Sequence, residues 1–199
     1  MIHLDPKSLS TKERYKLLTG TIVPRPIAWV STISSNGISN LAPFSYFNGV
    51  SSDPPVISIS IARKPDGTKK DTLLNIETNQ EFTVNFVSQK LAAQMNRTSD
   101  SLDYEISEFT LAGLTETPST IVKAPRVSES LACFECKLMQ LIEVGDGTAG
   151  SSTLVLGEIV HYQFDERIYI DGKINIAALD PVGRLAGQNF CKIGEIYTL

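Results

Sequence analysis

The chain has 199 residues, 42% of them hydrophobic and 20% charged, with a formal net charge of −4. That length suits one domain, spanning 1–199, that buries roughly 70% of the surface its unfolded chain would expose. The ordinary composition excludes a disordered or fibrous chain, and the mild acidic balance leaves no electrostatic footprint for nucleic acid.

No apolar run approaches the ~20 residues needed to cross a bilayer. The first residues, MIHLDPKSLSTKERYKLL, lack the basic and apolar regions of a signal peptide. The expectation is a cytoplasmic protein with neither membrane nor nucleic acid as a partner. Cys133, Cys136 and Cys191 form an odd set, which reads as reduced thiols.

Ser10-Thr-Lys-Glu13 is a capping box ahead of Gly20 and predicts a helix over about 11–18. The prolines of Val23-Pro24-Arg25-Pro26 force extended chain. Ile27–Ile33 is β-rich, Asn36-Gly37 is a hairpin signal, and Ile38–Phe47 returns as the partner strand. Asp53-Pro54-Pro55 turns into a strand over Val56–Ala62. A polar loop, Arg63–Lys70, then leads to a helix over Leu73–Thr78 capped by Asp71 or Thr72.

Glu81–Val87 alternates as a strand, and Ser88 caps a helix through Met95. Asn96–Gly113 has no clean period, and structureless stretches of that length are uncommon unless functional. Arg126–Val144, Thr153–Phe164, Ile168–Ile170 and Lys173–Ile176 alternate, with Asp171-Gly172 as a turn. Many strands in hairpin order with few helices point to a closed or partly closed barrel with helical decorations, not a doubly wound parallel sheet.

Several familiar patterns lack the context their chemistry needs. Gly145-Asp-Gly147-Thr-Ala-Gly150 matches the dinucleotide fingerprint, but a strand-like run follows where a helix N-terminus must receive the pyrophosphate. Cys133 and Cys136 sit three apart on a strand, hence on opposite faces, and a zinc site needs two further ligands. With only His3 and His161 and no G-x-S-x-G elbow, a serine hydrolase is disfavoured.

Two stretches carry more. Arg63, Lys64, Lys69 and Lys70 cluster just before a helix start, a pattern that either grips a phosphate or is a solvated basic loop. Asn40–Phe47 contains Ala42-Pro43, which interrupts a sheet strand. Such an interruption bares backbone amides that can bond a flat heterocycle, walled by Phe44 or Phe47.

These stretches, with Pro24-Arg-Pro-Ile-Ala28, Asn40-Leu-Ala-Pro-Phe-Ser45, Val50-Ser-Ser-Asp-Pro-Pro55, Lys70-Asp-Thr72, Glu81-Phe-Thr-Val-Asn85 and Pro181-Val-Gly-Arg184, resemble the flavin reductase-like family of FMN-binding split-barrel proteins. The likeness runs from about residue 10 to the C-terminus and includes Glu108-Phe-Thr-Leu-Ala-Gly-Leu114 and Pro125-Arg126 with Glu129-Ser130. It departs at Arg184-Leu-Ala-Gly187-Gln-Asn-Phe190, where the family has two glycines and a nearby tyrosine.

The resemblance implies a mainly β Greek-key barrel with a six-stranded core, and a homodimer with FMN at its interface. It places Asn40, Ala42, Pro43, Phe44 and Ser45 against the isoalloxazine, with Ser58, Ser60 and Arg63 toward the ribityl chain and phosphate. Lys70, Asp71 and Thr72 match the phosphate side, and Arg184 belongs to a covering segment. The implied reaction is hydride transfer from NADH or NADPH to FMN, with an oxygenase or another redox protein as the consumer of reduced flavin. The alternative is a non-catalytic, flavoredoxin-like FMN electron carrier. The Asn96–Gly113 segment, with Arg97 and Tyr104, is either a lid on the nicotinamide or substrate side or a dimer-facing or exposed loop.

Overall fold

The structure, a computed structural model, describes residues 1–100 and 103–199. Its centre is an antiparallel sheet of seven strands. In chain order these are β1 (Ala28–Ile33), β2 (Ser39–Phe44), β3 (Phe47–Ser52), β4 (Pro55–Ala62), β5 (Glu81–Asn85), β6 (Ala132–Val144) and β7 (Ser152–Phe164). The lateral order is β2-β1-β5-β6-β7-β4-β3. The two strands at its ends, β2 and β3, are joined by only Ser45-Tyr46. The sheet therefore curls until Ser60 N–H reaches Tyr46 O at 2.8 Å. No ladder links β2 to β3 among the described residues, so the barrel is split at that seam.

Six of the strands fill the interior with Ala28, Val30, Phe44, Ile57, Ile59, Ile61, Phe82, Val84, Cys136 and Val155, all nearly or fully buried. The seventh, β3, contributes little, because its residues from Asn48 onward are exposed. The mainly β barrel with a six-stranded core is thus present, with β3 as an additional edge. Alternation along β4 explains the split of roles: Ile57, Ile59 and Ile61 point inward, and Ser58 and Ser60 point out.

A second apolar layer covers the outer face of β1 and β2. Trp29 and Leu41 pack there with Leu91, Met95 and Phe109. The helices that supply these side chains explain two departures from the predicted elements. Asn96–Gly113 is not a bare loop: α3 (Ala92–Arg97) enters it and α4 (Glu108–Ala112) closes it, ended by Gly113 at φ 66°. Positions 101–102 of that predicted segment lie outside the described residues. Ser88 does not cap by its side chain; a 3-10 turn over Gln89–Leu91 precedes α3.

The first helix, α1 (Thr11–Thr21), keeps its capping box and passes through Gly20. Ile38–Phe47 breaks into β2 and β3 at Ser45-Tyr46, and Arg126–Val144 breaks into a short piece, Arg126–Val127, and β6. Pro43 is tolerated because β2 is an edge strand, paired only with β1, where the missing N–H deprives no neighbour. Gly145–Gly150 is the loop between β6 and β7, as its strand-like flank predicts. Cys136 joins the barrel core, Cys133 Sγ lies 3.3 Å from Gln163 Oε1, and no metal-binding cluster occurs among the described residues.

Candidate functional site

The helix α2 (Asp71–Asn79) follows the cationic loop and starts two residues earlier than predicted, with Lys70 at its N-cap. Neither expected cap acts as one, because both side chains are engaged elsewhere. Asp71 Oδ1 accepts from Lys64 Nζ at 3.0 Å, and the Thr72 hydroxyl donates to Asn40 Oδ1 at 2.8 Å. The first-turn amides of α2 thus carry no side-chain cap, and the helix presents partial positive charge there. Lys70 stands beside them, its ammonium 5.6 Å from the Phe44 ring centroid. Burial pulls its pKa below the ordinary lysine value, Lys64 adds to this and Asp71 opposes it. Among the described residues Lys70 has no ion-pair partner. A half-buried cation next to uncapped amides is chemically suited to receive an anion.

Behind this end lies a buried polar network. Asn40 Nδ2 donates to both carboxylate oxygens of Glu108 at 2.9 Å, and Leu41 N–H donates to Glu108 Oε2 at 2.9 Å. Glu108 is 5% exposed, and burial raises its pKa against the lowering effect of those hydrogen bonds. At the other end Tyr104 donates to Asn75 Oδ1 at 2.6 Å, and Asn75 Nδ2 donates to Thr32 Oγ1 at 3.0 Å. The segment from Tyr104 to Glu108 is therefore clasped to α2, β1 and β2, and Arg97 is exposed at the end of α3.

Two adjoining cavities form one groove here. A cavity of about 80 Å³ is lined by Asn40, Ala42, Lys64, Lys70, Asp71 and Glu108, among others. A cavity of about 190 Å³ is lined by Arg25, Phe44, Ser45, Met95, Arg184 and Phe190, among others. Pro43 and Ser99 border both. The groove thus brings together Asn40, Ala42, Pro43, Phe44, Ser45, Lys70, Asp71, Thr72 and Arg184 of the expected set.

Three expected residues do not join it within one chain. Ser58 and Ser60 face outward from β4, and Ser60 lines a separate cavity beside Tyr46 and the β6–β7 loop. Arg63 places Nη2 2.6 Å from Glu143 Oε2, so its charge is spent on β6. The groove also recruits Lys64 of the cationic cluster, and residues that sequence reasoning did not single out: Arg25, Ser99, and Glu108 as the buried acceptor. Glu108 was legible only as a letter in a motif, since a glutamate at a short helix start ordinarily faces water.

A split antiparallel barrel with a cationic, aromatic-walled groove at its seam defines the class: a flavin reductase-like split barrel. The chain belongs to the flavin reductase like domain family, whose model matches residues 19–177. An uncharacterized protein of Halalkalibacterium halodurans is 44% identical over 197 residues, covering 98% of this chain and 94% of that one. Among solved structures, nitrilotriacetate monooxygenase component B from Bacillus cereus matches with a TM-score of 0.96 at 38% identity, covering 100% and 98% of the two chains. The 2-nitrobenzoate 2-nitroreductase of Pseudomonas fluorescens matches with a TM-score of 0.89 at 34% identity, covering 100% and 95%. The chain is thus similar to flavin-family oxidoreductases along its whole length.

Proposed function

We propose that this protein is a single-domain NAD(P)H:flavin reductase that passes hydride from a nicotinamide to FMN held in the groove. The observation that carries this is the uncapped first turn of α2 beside the unpaired, half-buried Lys70, one cavity away from Phe44 and Ser45. That donor set fits FMN. Lys70 and the Asp71 and Thr72 amides suit its phosphate, and Ala42–Ser45 with Phe190 suit a flat ring. Bound FMN supplies the hydride-accepting ring; the chain's part is to bind it, orient it and exclude water. No histidine or cysteine is among the groove's lining residues, and hydride transfer needs no protein nucleophile.

Ser58, Ser60 and Arg63 enter this reading through a second copy of the chain. The exposed β3 and the exposed Met139, Ile142 and Val144 of β6 support a homodimer. Similarity to a monooxygenase component supports an oxygenase, or another redox protein, as the consumer of reduced flavin. The test is a visible spectrum of the purified protein before and after FMN addition and desalting, followed by NADH or NADPH in the same cuvette. Retained flavin with nicotinamide oxidation is expected. Retained flavin without oxidation by either nucleotide overturns the reductase reading in favour of a carrier.

A further inference from the structure

Arg25 and Arg184 are direct backbone partners across an antiparallel bridge. Arg25 N–H reaches Arg184 O at 3.0 Å, and Arg184 N–H reaches Arg25 O at 2.8 Å. Residues paired in this way point to one side, and both line the 190 Å³ cavity. Like charges placed opposite each other are destabilising unless something offsets them. No aspartate or glutamate lines that cavity, and neither arginine joins an ion pair among the described residues.

Arg25 is 5% exposed and rigidly held. Its Nη1 donates to Thr19 O at 2.8 Å and Ile22 O at 2.7 Å, its Nη2 to Leu185 O at 3.0 Å, and its Nε to Ser45 Oγ at 3.2 Å. Part of its charge answers the carbonyls at the end of α1. The bond to Ser45 does something else. It occupies a lone pair of the Ser45 hydroxyl, whose own proton has no acceptor among the described residues and is free to be donated into the cavity. Arg184 lies over the Phe190 ring at 4.4 Å and spends one N–H on Gly187 O at 2.5 Å. Its remaining side-chain donors are uncommitted among the described residues.

We infer that Arg25, acting through Ser45, and Arg184 form an electropositive seat for negative charge on the reduced flavin ring, and so set its reduction potential. The inference rests on the flavin reading above. In the proposed reaction a nicotinamide C–H bond breaks and its two electrons and proton form an N–H bond on FMN. The nicotinamide is oxidised, and the flavin ring gains one negative charge. Fixed donors in a half-enclosed site stabilise such charge without reorganising. Arg25 is a positioning residue for Ser45, while Ser45 and Arg184 face the ligand.

The test is the midpoint potential of FMN bound to the full-length protein, measured by reductive titration against an indicator dye. Arg184→Met and Ser45→Ala are each expected to lower it, by about 30 mV for every tenfold loss of preference for reduced over oxidised FMN. Arg184→Lys keeps the charge and is expected to retain most of the wild-type value. Lys70→Met weakens FMN binding in both oxidation states and leaves the potential close to wild type. An unchanged or raised potential in Arg184→Met and Ser45→Ala, or an equal fall in Lys70→Met, overturns the inference while leaving the flavin site standing. Failure of the wild-type protein to bind FMN at all overturns both.

Discussion

At Lys70 a lysine is desolvated without an ion-pair partner among the described residues, which costs free energy unless an anion offsets it. Lys70→Met is therefore expected to weaken FMN about tenfold to a hundredfold, the worth of a charge-assisted bond of about 1.5–3 kcal/mol. Riboflavin, which lacks the phosphate, should bind both proteins alike. Fluorescence titration with the two flavins checks this, and equal losses for both would remove the phosphate from Lys70. Glu135 is the contrasting case of a buried charge fully satisfied. It is fully buried and accepts from the N–H groups of Thr120, Ile121 and Val122 at 2.8, 2.6 and 3.1 Å. Burial opposes its charge, yet those bonds hold its pKa below the ordinary 4.5. Its stabilising contribution is complete above that value and lost as pH falls through the lowered one. Glu135→Gln should cost about 2–3 kcal/mol at neutral pH and flatten the acid limb of the stability curve, as read by urea unfolding at a series of pH values.

Among the elements, β7 shows why a glycine sits inside a long strand. A Cβ on Gly157 would collide with the Phe82 ring of β5, which crosses the barrel interior to reach it. Gly157→Ala should destabilise the protein by about 1–3 kcal/mol, the ordinary cost of overpacking, with a matching fall in the denaturant midpoint. In the sequence this glycine is an anonymous letter in Leu154-Val-Leu-Gly157. The start of α2 was similarly hidden. Asp71 and Thr72 are good capping residues by type, but competition from Lys64 and Asn40, 7 and 32 residues away, draws both side chains off. Freed amides are the result, and the proposed phosphate contact rests on them. Strands over Ala28–Ile33 and Pro55–Ala62, by contrast, lie close to where alternation and turn residues predict them.

For the whole molecule, ligand linkage and assembly are the natural readouts. FMN at a hundred times its dissociation constant should add about 2.7 kcal/mol to stability, seen as a concentration-dependent rise in melting temperature. No such rise at saturating FMN would remove the flavin from the native state. Sedimentation should show a dimer, since β3 and the outer half of β6 leave Val50, Met139, Ile142 and Val144 exposed in the single chain. A monomer at micromolar concentration would leave Ser58 and Ser60 without the proposed role.

What the chain's order of letters determined was local: hairpin turns at Asn36-Gly37 and Asp171-Gly172, the capping box of α1, the inward isoleucines of β4 and the basic approach to α2. Each depends on neighbours within a few residues, where backbone sterics and side-chain period act directly. Tertiary structure alone decided which of those residues meet. It turned Arg63 to Glu143, buried Glu108 beneath Asn40, and set Arg25 opposite Arg184 across 159 positions. Such pairings follow from how the sheet curls and where its seam falls, a property of the packed barrel that no short stretch encodes.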